Sequence, residues 1–208
     1  MLGAILYIHG RGGNPDEAAH FGPLFPNYAV MGLNYRSDTP WETKEEIRVA
    51  VAALVRERER VSLIANSIGA YYAMNAGIDA MLERAYLISP VTDMERMIRD
   101  LMRQANVDEE TLRERGTIPT ESGEVLSWEY LNYVREHPLK WNVRTDILRG
   151  SGDTLVPQET VEAFARAHSA TLTVMKNGEH WFHTQEQMRF LDRWIERCKK
   201  TRLTESKG

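Results

Sequence analysis

The sequence holds one cysteine, Cys198, in 208 residues. An internal disulfide is therefore excluded, and a chain of this length buries enough core to fold without one. Basic excess is missing as well: 26 Lys and Arg stand against 30 Asp and Glu, a net charge of −4. Binding to a nucleic-acid backbone draws on a basic surface, so no nucleic-acid partner is expected. No apolar run reads as a membrane span. The one long uncharged window, residues 61–78, is interrupted by Ser62, Asn66, Ser67, Gly69, Asn75 and Gly77. Residues 2–8 are apolar, but no Lys or Arg precedes them and His9-Gly10-Arg11 follows at once, which is unlike a secretory leader. A cytoplasmic address is the expectation. The histidines lack metal-ligand spacing, so no metal is expected. What remains, 42% hydrophobic and 27% charged residues, is the balance of a soluble globular domain.

Short apolar runs at residues 4–8, 29–33, 61–65, 85–88, 145–148 and 170–175 alternate with amphipathic stretches. That alternation predicts βα units and strands buried on both faces. Helices are expected over 43–58, 67–80 and 160–167, with a last one opening at the capping-box pattern Thr184-Gln185-Glu186-Gln187. The fold class is thus α/β, an open and mostly parallel six-stranded sheet with helices on both faces, formed by residues 1–208 as a single domain. Residues 92–140 break the rhythm. They carry helical pieces at 94–104, 109–114 and 128–136 and no strand signal, so they read as a helical insertion, a cap or lid. Between Asp93 and Lys140 lie 11 acidic and seven basic residues, leaving 19 of each elsewhere; the insertion carries the whole negative excess.

Four local patterns carry chemistry. In Leu63-Ile64-Ala65-Asn66-Ser67-Ile68-Gly69-Ala70 a strand runs directly into a serine and then a small-residue helix. This resembles the nucleophile elbow of the α/β-hydrolase fold family, where a tight strand-turn-helix exposes the hydroxyl at the sheet's C-terminal edge. The family's first glycine is here Ala65, a departure by one methyl group. The bland alternative is a serine acting as an ordinary helix cap. By the same resemblance, the loop His9-Gly10-Arg11-Gly12-Gly13 after the first strand supplies an oxyanion donor, the Arg11 amide, and Ile68 supplies the other. The glycine spacing matches neither a dinucleotide loop nor a P-loop.

After the fifth strand comes Arg149-Gly150-Ser151-Gly152-Asp153-Thr154-Leu155-Val156-Pro157, where the resemblance places the acid at Asp153. A carboxylate there can accept a histidine Nδ1–H and fix its tautomer; the bland reading is an Asx turn. Asp93, after the fourth strand, is the reserve. After the last strand, His180 follows Gly178 where the family carries its base. His183 competes, although at the position before the Thr184 cap it is expected to staple onto Met188. The chain order Ser67, Asp153, His180 is that of the family, and the resemblance covers residues 4–197. It implies a compact serine hydrolase, carboxylesterase-like, cleaving small acyl substrates without a cofactor. A peptidase or thioesterase on the same residues, or a catalytically silent protein-binding chain, stays open.

Overall fold

The computed structural model describes residues 3–121 and 123–205. Its main sheet contains β1 (Gly3–Ile8), β2 (Tyr28–Gly32), β3 (Arg60–Asn66), β4 (Arg84–Ile88), β7 (Thr145–Gly150) and β8 (Thr171–Met175); β5 (Thr117–Pro119) and β6 (Val125–Ser127) pair separately. The order in the sheet is β2-β1-β3-β4-β7-β8, with every pairing parallel. Every residue of β1, β4 and β7 is buried, as expected of strands covered on both faces; β1 is an apolar run, whereas β4 and β7 also bury Arg84 and Asp146, paired at 2.6 Å. The edge strands β2 and β8 are only half buried.

The helices are α1 (Pro40–Glu57), α2 (Ile68–Asn75), α3 (Met94–Gln104), α4 (Glu109–Arg115), α5 (Trp128–Glu136), α6 (Gln158–Ala167) and α7 (Gln185–Glu205). On one sheet face Ile5, Tyr7, Ile64, Tyr86, Ile88 and Leu148 cluster with Leu191, Trp194 and Ile195 of α7. The other face meets α1 and α2. No helix among the described residues is long and apolar enough to cross a membrane.

Local chemistry corrects several expectations. The helix expected over 67–80 ends at Asn75, because Gly77 takes φ +64° and closes it; a 3-10 turn, Asp79–Met81, follows. Pro40 at the first position opens α1 three residues before the expected start. A 3-10 helix over Pro15–Leu24 had no sequence expectation; Asn14 and Glu17 cap it reciprocally.

The chain divides into two compact units, one up to Thr92 and from Trp141 onward, the other Asp93–Lys140. Within the second, α3, α4 and α5 stand at the expected places, but the stretch expected to lack strands contains the hairpin β5–β6, paired Thr117 to Ser127. Strands of three residues are too short to display an alternating pattern. Arg135 of α5 ties the unit together, donating to Glu95 of α3 at 2.9 Å and to Glu109 of α4 at 2.7 Å. Those hydrogen bonds hold both carboxyls below the usual range.

Candidate active site

Parallel register brings the ends of β1, β3 and β4 level: Ile8 pairs with Ala65, and Asn66 with Ile88. Ser67 follows directly, at φ 52° and ψ −122°. This backbone conformation is costly for a residue with a Cβ. Ser67 makes no side-chain cap bond to α2, which removes the ordinary helix-cap reading. Its main chain is fixed instead by β4, its amide donating to the Ile88 carbonyl at 2.9 Å. Ala65 is fully buried, so the methyl that departs from the family pattern is accommodated. Gly69 has no such room: a Cβ there would run into the His9 carbonyl at the end of β1.

Ser67 Oγ lies 2.8 Å from His180 Nε2, and His180 Nδ1 lies 2.8 Å from Asp153 Oδ2. A carboxylate only accepts, so Nδ1 carries the proton and Nε2 is left to accept from the Ser67 hydroxyl. Asp153 and His180 are both buried. Burial pushes the Asp153 carboxyl up, but the hydrogen bond and electrostatic attraction of the His180 ring, with the amides of Val156 and Leu155, outweigh it and hold the group below its usual range. Those amides donate to Asp153 Oδ1 at 3.0 and 2.9 Å. So the turn anticipated as the bland alternative is present, and the second carboxylate oxygen still reaches the histidine.

The loops of Asp153 and His180 meet through glycine. Gly152 donates its amide to the Gly178 carbonyl at 2.8 Å, and a Cβ on Gly150 would collide with that same carbonyl. Arg149, buried at the end of β7, donates to the carbonyls of Asp153 and Val156 and to Gln158. Arg149 opens the acid-loop motif in the sequence, but nothing there gave it a role.

The loop after β1 lies against the serine: a Cβ on Gly10 would stand 3.0 Å from Ser67 Cβ. His9 stacks on Tyr35 with ring centroids 4.3 Å apart, donates Nδ1–H to Gly10 O, and has its own carbonyl bound by the Tyr35 hydroxyl. Glu17 accepts from Tyr7 at 2.5 Å and from the Asn14 amide, securing the far side of the loop. Arg11 is exposed within the turn closed by Gly13 N–H to Gly10 O. Ile68 opens α2, where helix geometry leaves an amide without an intrahelical acceptor.

The reserve residues are engaged elsewhere. Asp93 caps α3, accepting from the Arg96 amide at 2.9 Å. His183 is 61% exposed and faces the Trp181 carbonyl and Glu179, so the expected staple onto Met188 is absent. Phe182, one residue earlier, is instead buried in the core cluster against which Met188 packs. Thr184 does cap α7, accepting from the Gln187 amide, while the Gln187 side chain accepts from His183 rather than from Thr184. Among the described residues no cluster of His, Cys, Asp and Glu could hold a metal ion. A cavity of about 450 Å³ opens at the opposite edge of the sheet, lined by Ile5, Phe25, Tyr28, Arg84 and Tyr86; Ser67, Asp153 and His180 do not line it.

No protein-family model matches the sequence, and no curated protein matches it. Solved structures do. Est1E from Butyrivibrio proteoclasticus superposes with a TM-score of 0.74 at 16% identity, over 97% of this chain and 88% of its own; it is also known with ferulic acid bound. Alpha/beta hydrolase domain-containing protein 10 from mouse gives 0.69 at 14% identity, over 99% and 90%. XC6422 from Xanthomonas campestris, described as a serine hydrolase without lid, gives 0.61 at 14%, over 94% and 79%. Sequence identity this low leaves the backbone as the likeness. With the strand order and the strained turn after β3, it establishes that the chain has the α/β-hydrolase fold.

Proposed function

We propose that the protein is a serine hydrolase that cleaves small ester-type acyl substrates by acyl transfer. The observation that carries this reading is the unbroken hydrogen-bonded chain from Ser67 Oγ through His180 to Asp153, 2.8 Å at each step, with the serine on a strained turn. In the mechanism, His180 Nε2 takes the Ser67 proton as Oγ attacks the carbonyl carbon. The amides of Arg11 and Ile68 stabilise the oxyanion. His180 returns the proton to the departing alkoxide, leaving an acyl-serine. Water then gives a proton to His180 and its oxygen to the acyl carbon, and Ser67 leaves with that proton as the acid is released. Asp153 keeps the imidazole in the required tautomer throughout.

The substrate class follows from charge and surface. The net −4 of the insertion disfavours polyanions. Its apolar and aromatic residues suit an acyl group of short to medium length, and we assign that unit the role of lid. Ferulic acid in Est1E, a carboxylic acid of such a size, supports the choice. A cytoplasmic address goes with a chain whose single cysteine cannot form an internal disulfide. The decisive test is a fluorophosphonate probe. It should label Ser67 and no other serine, and turnover of a short-chain ester should vanish in Ser67→Ala. Labelling that survives Ser67→Ala unchanged would remove the assignment; selective turnover of an amide or thioester would move it to a peptidase or thioesterase.

A further inference from the structure

Two serines leave adjacent strands at positive φ: Ser67 after β3 at 52°, and Ser89 after β4 at 45°. Glycine would adopt such a conformation without the steric cost, so a side chain kept there calls for a reason beyond chain direction. Ser89 is 0% exposed. Its amide donates to the Leu148 carbonyl of β7 at 2.7 Å, and its hydroxyl donates to the backbone carbonyl of His180 at 2.8 Å. Two residues on, the Val91 amide donates to the carbonyl of Ser67 at 3.2 Å. The end of β4 therefore grips Ser67 at both its amide, through Ile88, and its carbonyl, through Val91, and grips His180 through Ser89.

The bond from Asp153 fixes how the imidazole is turned. It does not fix where the peptide carrying the imidazole stands, since residues 176–184 belong to no helix or strand. Without the Ser89 tie, the His180 carbonyl would also be a buried acceptor lacking this partner, and would pull the loop toward another donor. We infer that Ser89 is a positioning residue: its hydroxyl anchors the main chain of His180 to the strand that also holds Ser67, and so sets the distance from Nε2 to Oγ. This rests on reading Ser67 and His180 as nucleophile and base.

Two variants separate the hydroxyl from the backbone. Ser89→Ala removes the hydroxyl and keeps a Cβ at positive φ; Ser89→Gly removes both and relaxes the turn, so its thermal midpoint should stay near that of the unmodified protein. A small displacement of a reacting group is costly, so both variants should lose kcat by about 10- to 100-fold while KM changes by less than about twofold. In proton NMR the resonance of His180 Nδ1–H should shift or broaden in both. Ser89→Gly with unaltered kcat and an unaltered resonance would overturn the inference. So would a loss confined to Ser89→Ala, which would trace the effect to backbone strain. Ser67→Ala is run in parallel. If it retained full turnover, the nucleophile assignment would fall, while the His180 resonance would still report whether Ser89 holds the loop.

Discussion

His180 and His183 lie three residues apart, and their surroundings set them apart. His180 is buried between Asp153 and Ser67, whereas His183 stands 61% exposed beside Glu179. On the proposed mechanism, replacing His180 by Ala should lower kcat by several orders of magnitude, since base and acid would be lost together. His183→Ala should leave kcat intact and change stability by less than about 0.5 kcal/mol, as surface substitutions do. Steady-state kinetics beside urea unfolding separates the two, and the reverse pattern would make His183 the base. Asp153 adds a pH dependence. Its carboxyl is held below its ordinary 3.8, so the stabilisation is complete above that pH and fades as pH falls through the lower folded value. Unfolding free energy measured from pH 6 downward should therefore drop more steeply for the natural protein than for Asp153→Asn; parallel slopes would contradict it. Ser67, Asp153 and His180 were each legible because a few neighbouring residues mark them: a strand into a small-residue turn, a glycine-flanked acid before Val-Pro, a histidine after Asn-Gly. Ser89 had no such mark. A serine before proline reads as a turn, and its link to His180 spans 91 positions that no local pattern connects.

At the scale of elements, the site depends on two loops approaching more closely than side chains allow. Gly150 ends β7 where a methyl would strike the Gly178 carbonyl and press on the Glu179 carbonyl. Gly150→Ala should thus cost about 1–3 kcal/mol in stability, as overpacking does. It should also depress kcat by parting Asp153 from His180. Gly22 is the control, because a Cβ there meets nothing within 4 Å and its φ is not positive. Gly22→Ala should leave both quantities near their original values. Equal tolerance at the two positions, read by urea unfolding and ester turnover, would refute the close-approach argument. The inner strands β1, β3 and β4 were readable because burial on both faces favours a largely apolar run, and the half-buried edge strands β2 and β8 because short apolar stretches still mark them off from the polar segments around them. The Pro15–Leu24 helix and the β5–β6 hairpin were not: one buries Ala18 and Phe21 at the three-residue spacing of a 3-10 helix rather than at the α-helical period, the other is three residues a side. The overrun of α2 past Asn75 has a different cause, for glycine at positive φ cannot be told from glycine in a helix until the next turn is known.

For the whole molecule, charge and length divide the chain unevenly: Asp93–Lys140 carries the entire negative excess, and the rest is balanced. Composition made that unit conspicuous, whereas its role depends on surfaces that periodicity does not reveal. Met94, Met102 and Leu131 are buried and serve packing. Met97, Leu101, Trp128, Tyr130 and Tyr133 are only half buried, which leaves thioether and aromatic surface able to meet an acyl chain. If the unit selects substrate as proposed, kcat/KM across an ester series from acetyl to palmitoyl should peak at short to medium chains and decline beyond. Trp128→Ala, or replacement of residues 93–140 by a short linker, should flatten that profile, with the point variant guarding against a deletion that does not fold. An ester bearing several carboxylates should be a poor substrate at low salt and recover in part when screening weakens repulsion by the acidic unit. A steady climb toward palmitoyl would mark a lipase-like groove and refute the short-chain assignment. A profile unmoved by both variants would locate acyl selection within the sheet-bearing unit, where the loops of Ser67, Asp153 and His180 lie.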